Sequence, residues 1–167
     1  MTAPLIRSAT AADIAAITAI YAHHVLYGTG TFEEVPPDQS EMAARFAQVI
    51  ARGWPWLVAE IDGAVAGYAY CGQFRDRAAY RFAGEDSVYV RDDACGRGVG
   101  RALLDALIPA SCAAGFRRMF AVIGDSANRG SIALHARAGF AHCGALHAAG
   151  FKFGRWLDVV FMEKALT

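Results

Sequence analysis

Val88-Tyr-Val-Arg-Asp-Asp-Ala-Cys-Gly-Arg-Gly-Val-Gly-Arg-Ala-Leu-Leu104 is a short β-branched run, a glycine-rich turn and the start of an apolar helix. Glycines at 96, 98 and 100 leave the backbone uncovered between strand and helix. The first N–H groups of a helix have no intrahelical partner, and the helix dipole adds about half a positive charge at that end. A pyrophosphate fits such a place, and Arg97 and Arg101 add charge-assisted contacts. Three ligands compete for the loop, beside a plain glycine turn with no ligand. A nucleotide P-loop needs Gly-Lys followed by Ser or Thr, and here Arg101 and Ala102 follow Gly100. A dinucleotide fingerprint needs a third glycine where Arg101 stands, although Asp125 beyond the next strand keeps that option open. The third ligand is coenzyme A, whose pyrophosphate needs the same cradle.

Outward from this loop the chain reads as a mixed α/β (α+β) domain of mostly antiparallel neighbours, with one β-loop-α-β unit over 87–123 and one domain over 1–167. Strands are predicted at 5–8, 56–61, 64–70, 87–90, 119–123, 140–148 and 156–164. Asp62-Gly63 is the hairpin turn between the second and third. Helices are predicted near 11–26, with Thr10 and Asp13 in a capping box, and near 38–52, 102–108 and 131–138. Pro109 should kink or shorten the third and Gly139 should end the fourth. The segment 74–84, with Arg75, Arg77 and Arg81, reads as a loop.

The bulk properties exclude several partners. The 167 residues carry 16 basic and 16 acidic groups, so no positive excess exists to neutralise a nucleic-acid backbone. No run is apolar enough to span a bilayer. Met1-Thr-Ala-Pro-Leu-Ile-Arg7 lacks the apolar core of a signal peptide, so the expected compartment is the cytoplasm. Cys71, Cys95, Cys112 and Cys143 contain no C-x-x-C pair and are expected as free thiols. His23, His24, His142 and His147 lack metal-ligand spacing and read as structural or surface residues; no metal is expected.

Val88-Tyr-Val with Gly96-Arg-Gly-Val-Gly100 resembles motif A of the Gcn5-related N-acetyltransferases (GNAT), and Asn128-Arg-Gly-Ser131 with Leu134-His-Ala-Arg-Ala-Gly-Phe140 resembles their motif B. Pro55-Trp-Leu-Val-Ala-Glu60, Glu85-Asp-Ser-Val-Tyr-Val90, Ala121-Val-Ile-Gly124 and Gly150-Phe-Lys-Phe-Gly-Arg-Trp-Leu-Asp158 are similar to the phosphinothricin and methionine sulfone/sulfoximine acetyltransferase branch. The resemblance implies the acyl-CoA N-acyltransferase fold, a twisted, mostly antiparallel sheet of six or seven strands with about four helices. It implies acetyl-CoA as co-substrate and direct acetyl transfer, in a ternary complex, to the amine of a small amino acid. Val88, Tyr89 and Val90 would pair with the pantetheine arm, Gly96, Arg97, Gly98, Val99, Gly100 and Arg101 would hold the pyrophosphate, and Asn128 and Ser131 would lie beside the pantetheine. Cys95 departs from the Gln or Arg usual there, which implies weaker coenzyme affinity.

Attack on a thioester needs a free amine, a proton acceptor and an oxyanion donor. The resemblance gives these to Glu85, placed just before the central strand, and to the Val90 N–H. His135, one turn after Ser131, is the candidate acid or base. Arg75, Arg77 and Arg81 are candidates to clamp a carboxylate, with Phe74, Tyr80 and Phe82 as pocket walls. Other activities remain open: acetylation of protein N-termini or polyamines, or coenzyme A binding without turnover. The family also implies a homodimer. The aromatic stretch Phe151-Lys-Phe-Gly-Arg-Trp156 suits an interface, or alternatively a core hairpin.

Overall fold

The computed structural model describes residues 3–167; Met1 and Thr2, part of the stretch read for an export signal, lie outside the described residues. Seven strands form one sheet: β1 (Leu5–Ser8), β2 (Trp56–Ile61), β3 (Ala64–Gln73), β4 (Ala83–Val90), β5 (Arg118–Gly124), β6 (Ala141–Lys152) and β7 (Arg155–Ala165). Their order is β1-β2-β3-β4-β5-β7-β6. Every pairing is antiparallel except β4 with β5, which the helical crossover makes parallel. Helices α1 (Ile14–Tyr27) and α2 (Gln39–Ala51) cover one face, and α3 (Val99–Ala113) and α4 (Arg129–Arg137) the other. Among the described residues no helix is long and apolar enough to cross a membrane.

Strand alternation builds the two cores. Trp56 and Val58 of β2 pack with Ile17, Val25 and Tyr68 under α1 and α2, while Leu57 and Ala59 turn to Leu103, Leu104, Leu107 and Phe116 on the α3 side. Asp62 and Gly63 both have positive φ, the two-residue turn that matches strand twist. Thr10 and Asp13 meet as expected: the Thr10 N–H donates to Asp13 Oδ2 at 2.8 Å, and Arg7 bridges Asp13 and Glu60.

Three boundaries differ from expectation. Pro109 does not end its helix, which continues to Ala113. Proline removes an N–H and frees the carbonyl four residues back; Pro109 and Asp105 both face solvent, where water can take that carbonyl, while Leu103, Leu104 and Leu107 hold the buried side. The loop at 74–84 is shorter, because β3 runs on to Gln73 and β4 begins at Ala83. Glu85 therefore lies inside β4. Gly150, which lies between the strands expected at 140–148 and 156–164, is a residue of β6, and the turn is Phe153-Gly154.

Candidate active site

The sheet splits at its centre. β4 and β5 pair from Ala83↔Arg118 to Asp86↔Ala121 and no further. Beyond that point Ser87–Val90 stay paired with β3 and Val122–Gly124 with β7, so the two inner edges diverge. The Arg91 N–H bonds to Ala66 O at 2.8 Å, on the β3 side. Main-chain groups alternate along a strand, so those of Val88 and Val90 face the gap. His24 of α1, read from the sequence as structural or surface, meets Val90 O through Nε2 at 2.8 Å. That contact leaves the Val90 N–H to the gap.

The glycine turn closes one end of the gap. Gly96 and Gly98 have φ of +75° and +82°, a region that side-chain-bearing residues rarely enter, and an added Cβ at either would meet nothing within 4 Å. Gly98 caps α3 without a side-chain hydrogen bond. Ala102 N bonds to Gly98 O at 3.0 Å, so the amides of Val99, Gly100 and Arg101 remain without intrahelical partners. Across the gap Asn128 caps α4, accepting the Ser131 N–H on Oδ1 at 3.2 Å. Gap and turn form one cleft of about 1040 Å³. Val88, Tyr89, Val90, Cys95, Asn128 and Ser131 line it, and so do Gly96, Gly98, Val99, Gly100 and Arg101. Arg97 does not, and the Arg101 guanidinium is committed to Asp105 at 2.6 Å and to Arg137 O at 2.8 Å.

Glu85 and Asp86 project to opposite faces of β4. Glu85 borders the cleft, and burial raises its carboxyl above the usual glutamate value, against the opposing pull of Arg75 at 3.4 Å. Asp86 turns toward α4 and meets His135 Nε2 at 2.8 Å, while His135 Nδ1 lies 2.8 Å from Ser131 O. The His135 ring borders the cleft, but it is only 4% exposed and both nitrogens are engaged. Burial works against its charge, and the hydrogen bond and charge of Asp86 outweigh burial, so its pKa lies above 6.5. Stability from this pair is complete below about pH 6.5 and is lost as pH rises through the raised value. Asp86→Asn is expected to cost about 3 kcal/mol or more at pH 6, the scale of a broken buried pair. Denaturant unfolding should show that deficit shrink in alkaline buffer; a deficit independent of pH would refute the coupling.

The arginine loop is placed differently from expectation. None of Phe74, Arg75, Arg77, Tyr80, Arg81 and Phe82 lines the cleft. Phe74 packs on Phe120, Arg75 lies over Phe74 and reaches Glu85, and Arg81 covers Phe82 on the surface. The reason is the longer β3 and β4, which pair to Gln73↔Gly84 and carry the loop away from the fork. On the α1 side the cleft is lined by Thr29-Gly-Thr-Phe32. Phe32 fills a notch left by Gly124 and Gly150, where an added Cβ at Gly150 would collide with its ring. Asp125 is not free for a ribose, since it accepts from Thr29 Oγ1, the Ala127 N–H and Arg155. The four cysteines are free thiols, and among the described residues no group of three or more His, Cys, Asp or Glu is placed to hold a metal.

A sheet forked beside an uncapped helix start presents a strand edge to an extended amide-bearing chain and N–H groups to a diphosphate. That is the frame of an acyl-coenzyme A-dependent acyltransferase. The acetyltransferase (GNAT) domain matches residues 6–161, and the chain belongs to this family of N-acetyltransferases. It is 56% identical to a phosphinothricin N-acetyltransferase of Alcaligenes faecalis over 93% of this chain and 79% of that one. It is 44% identical to an L-methionine sulfoximine/L-methionine sulfone acetyltransferase of Pseudomonas paraeruginosa, over 95% of this chain and 92% of that one. The crystal structure of a phosphinothricin acetyltransferase from Sinorhizobium meliloti, in complex with acetyl-CoA, superposes with a TM-score of 0.96 at 49% identity, covering 99% of this chain and 89% of that one.

Proposed function

We propose that this enzyme transfers the acetyl group of acetyl-CoA to the α-amine of a small amino acid of the phosphinothricin, methionine sulfone or methionine sulfoximine type, by direct attack. The observation that carries the reading is the fork, which sets a free strand edge, unpartnered helix amides and a half-buried carboxylate around one cleft. The Val88 and Val90 edge suits the amides of a pantetheine arm, and the amides of Val99, Gly100 and Arg101 suit its diphosphate. Asn128 keeps its side-chain N–H groups for the same arm. Bound acetyl-CoA supplies the activated carbonyl.

Glu85 takes the proton of the incoming ammonium, whose peptide reference pKa is about 7.7–8.0. A carboxyl held above its usual value is the better base near neutrality. Distance separates the two cleft-facing amides. A strand advances about 3.3 Å per residue, so Val90 lies roughly 16 Å along β4 from Glu85 and Val88 roughly 10 Å. A carboxylate, an amine, the carbonyl it attacks and the N–H that receives the carbonyl oxygen together span about 10 Å, given three contacts of about 3 Å each. The Val88 N–H therefore suits the developing oxyanion, and the Val90 N–H, expected from the sequence in that role, suits the pantetheine. His135 holds Asp86, and so fixes α4 to β4 where the sheet divides, rather than meeting the reacting atoms. The amine loses one proton and the released thiolate takes one up.

A panel of amino acids with acetyl-CoA, read by thiol release, tests the reading. Fast turnover is expected for methionine sulfone, methionine sulfoximine or phosphinothricin and slow turnover for spermidine. The reverse order would overturn the substrate assignment. We further propose that the enzyme is a cytoplasmic homodimer. β6 is an edge strand, and Phe151, Phe153 and Trp156 of its hairpin are exposed, a surface that suits a second copy. A one-chain mass in sedimentation would remove the dimer.

A further inference from the structure

An edge strand usually turns its lysines to water. Lys152, at the end of β6, does the opposite and is 2% exposed. Its ammonium donates to Gly28 O at 2.9 Å and to Thr31 O at 2.8 Å, across more than 120 residues of chain. Among the described residues it forms no ion pair with a carboxylate; Glu34 and Glu33 act only as nearby charges. Burying an ammonium costs several kcal/mol unless hydrogen bonds offset it, so the lysine must be matched closely to this loop.

The same loop is held at other points. The Gly28 N–H bonds to His24 O at 3.0 Å, and Tyr21 Oη lies 2.8 Å from Thr31 Oγ1 and donates to Glu33. Thr29 donates to Asp125, and Phe32 sits in the Gly124–Gly150 notch. Lys152 is a side-chain tie that acts on the main chain, taking both carbonyls that frame Thr29 and Gly30. Those residues, with Phe32, form the cleft wall on the α1 side. Phe151 and Phe153, its chain neighbours, point outward.

We propose that Lys152 is a positioning residue for acceptor selectivity, fixing the 28–32 loop as the wall against which the amino acid is oriented. The proposal rests on the reading that this loop faces the amine half of the cleft.

The test is steady-state kinetics on Lys152→Met and Phe32→Ala, with acetyl-CoA and the fastest amino acid of the panel varied separately. Lys152→Met keeps an unbranched stem and loses the donors. The expected result is an amine KM raised about tenfold, the scale of a lost charged hydrogen-bond anchor. The acetyl-CoA KM, and the thermal shift that acetyl-CoA produces, should stay at wild-type values. Lys152→Gln, which retains N–H donors, should recover part of the loss. If Lys152→Met does not fold, Lys152→Gln carries the test and should give a smaller rise of the same one-sided kind, while an unchanged amine KM in it overturns the proposal. An amine KM unchanged in Lys152→Met but raised in Phe32→Ala overturns the proposal and leaves the loop reading standing. No change in Phe32→Ala overturns the loop reading itself. Equal rises in both KM values mean a general structural role and overturn the proposal too.

Discussion

Glu85→Gln is expected to lower kcat by about two to four orders of magnitude, the range for a lost general base, while acetyl-CoA binding stays unchanged. The amide keeps the shape of the side chain but cannot take a proton, and it stands on the face of β4 away from α4 and the glycine turn. Two further readouts separate this from damage to the fold. In the wild type the kcat/KM profile should fall on the acid side as Glu85 protonates, at a pH above the usual glutamate value; that limb should vanish in the variant. Stability should not fall. A carboxyl raised in the folded state binds its proton more tightly than in the unfolded chain, so its stabilising contribution is lost as pH rises through the folded value. Removing the charge is expected to leave the thermal midpoint at pH 7.5 equal or higher. An activity loss within threefold would exclude Glu85 as the base.

Gly98→Val is expected to raise the acetyl-CoA KM about a hundredfold, since charged hydrogen bonds of the kind it disturbs are worth about 1.5–3 kcal/mol each. Packing is not the cause, because an added Cβ at this position meets nothing within 4 Å. The cause is the backbone. At φ +82° a β-branched residue is strained by about 1–3 kcal/mol, and relief of that strain turns the amides of Val99 and Gly100 out of line. The kcat at saturating acetyl-CoA should change little, since Glu85 and the β4 edge are untouched. Calorimetric titration checks this directly; wild-type affinity would move the diphosphate site away from the head of α3.

The features legible in the sequence are mostly local. The Asp62-Gly63 hairpin, the glycine turn and the α4 stop at Gly139 are each set within a few residues. The start of β4 is not. Gly84-Glu-Asp86 has poor strand propensity, and it is extended because β3 and β5 flank it on both sides. The site divides in the same way. Its proposed coenzyme half is one continuous stretch from Val88 to Arg101, followed by Asn128, and the motif points to it. Its proposed amine half is assembled from distant pieces: Thr29 meets Asp125, Phe32 meets Gly150, and His135 is taken by Asp86, 49 residues earlier. No spacing rule joins them. Charge alone pointed to Arg75, Arg77 and Arg81, but only Arg75 touches a cleft residue, through Glu85.

The role of His135 separates residue type from geometry. A histidine on a helix beside a cleft has the right pKa to move protons near pH 7. Here one nitrogen faces a carboxylate and the other a carbonyl oxygen, both acceptors, which favours the protonated ring and ties it to the frame.

Diffraction from crystals grown with acetyl-CoA tests the central claim most directly. The diphosphate is expected within hydrogen-bond distance of the amides of Val99, Gly100 and Arg101, with the pantetheine along the Val88–Val90 edge and the thioester oxygen at the Val88 N–H. A diphosphate held by arginine side chains away from the head of α3, or a thioester lying outside the fork, would contradict it.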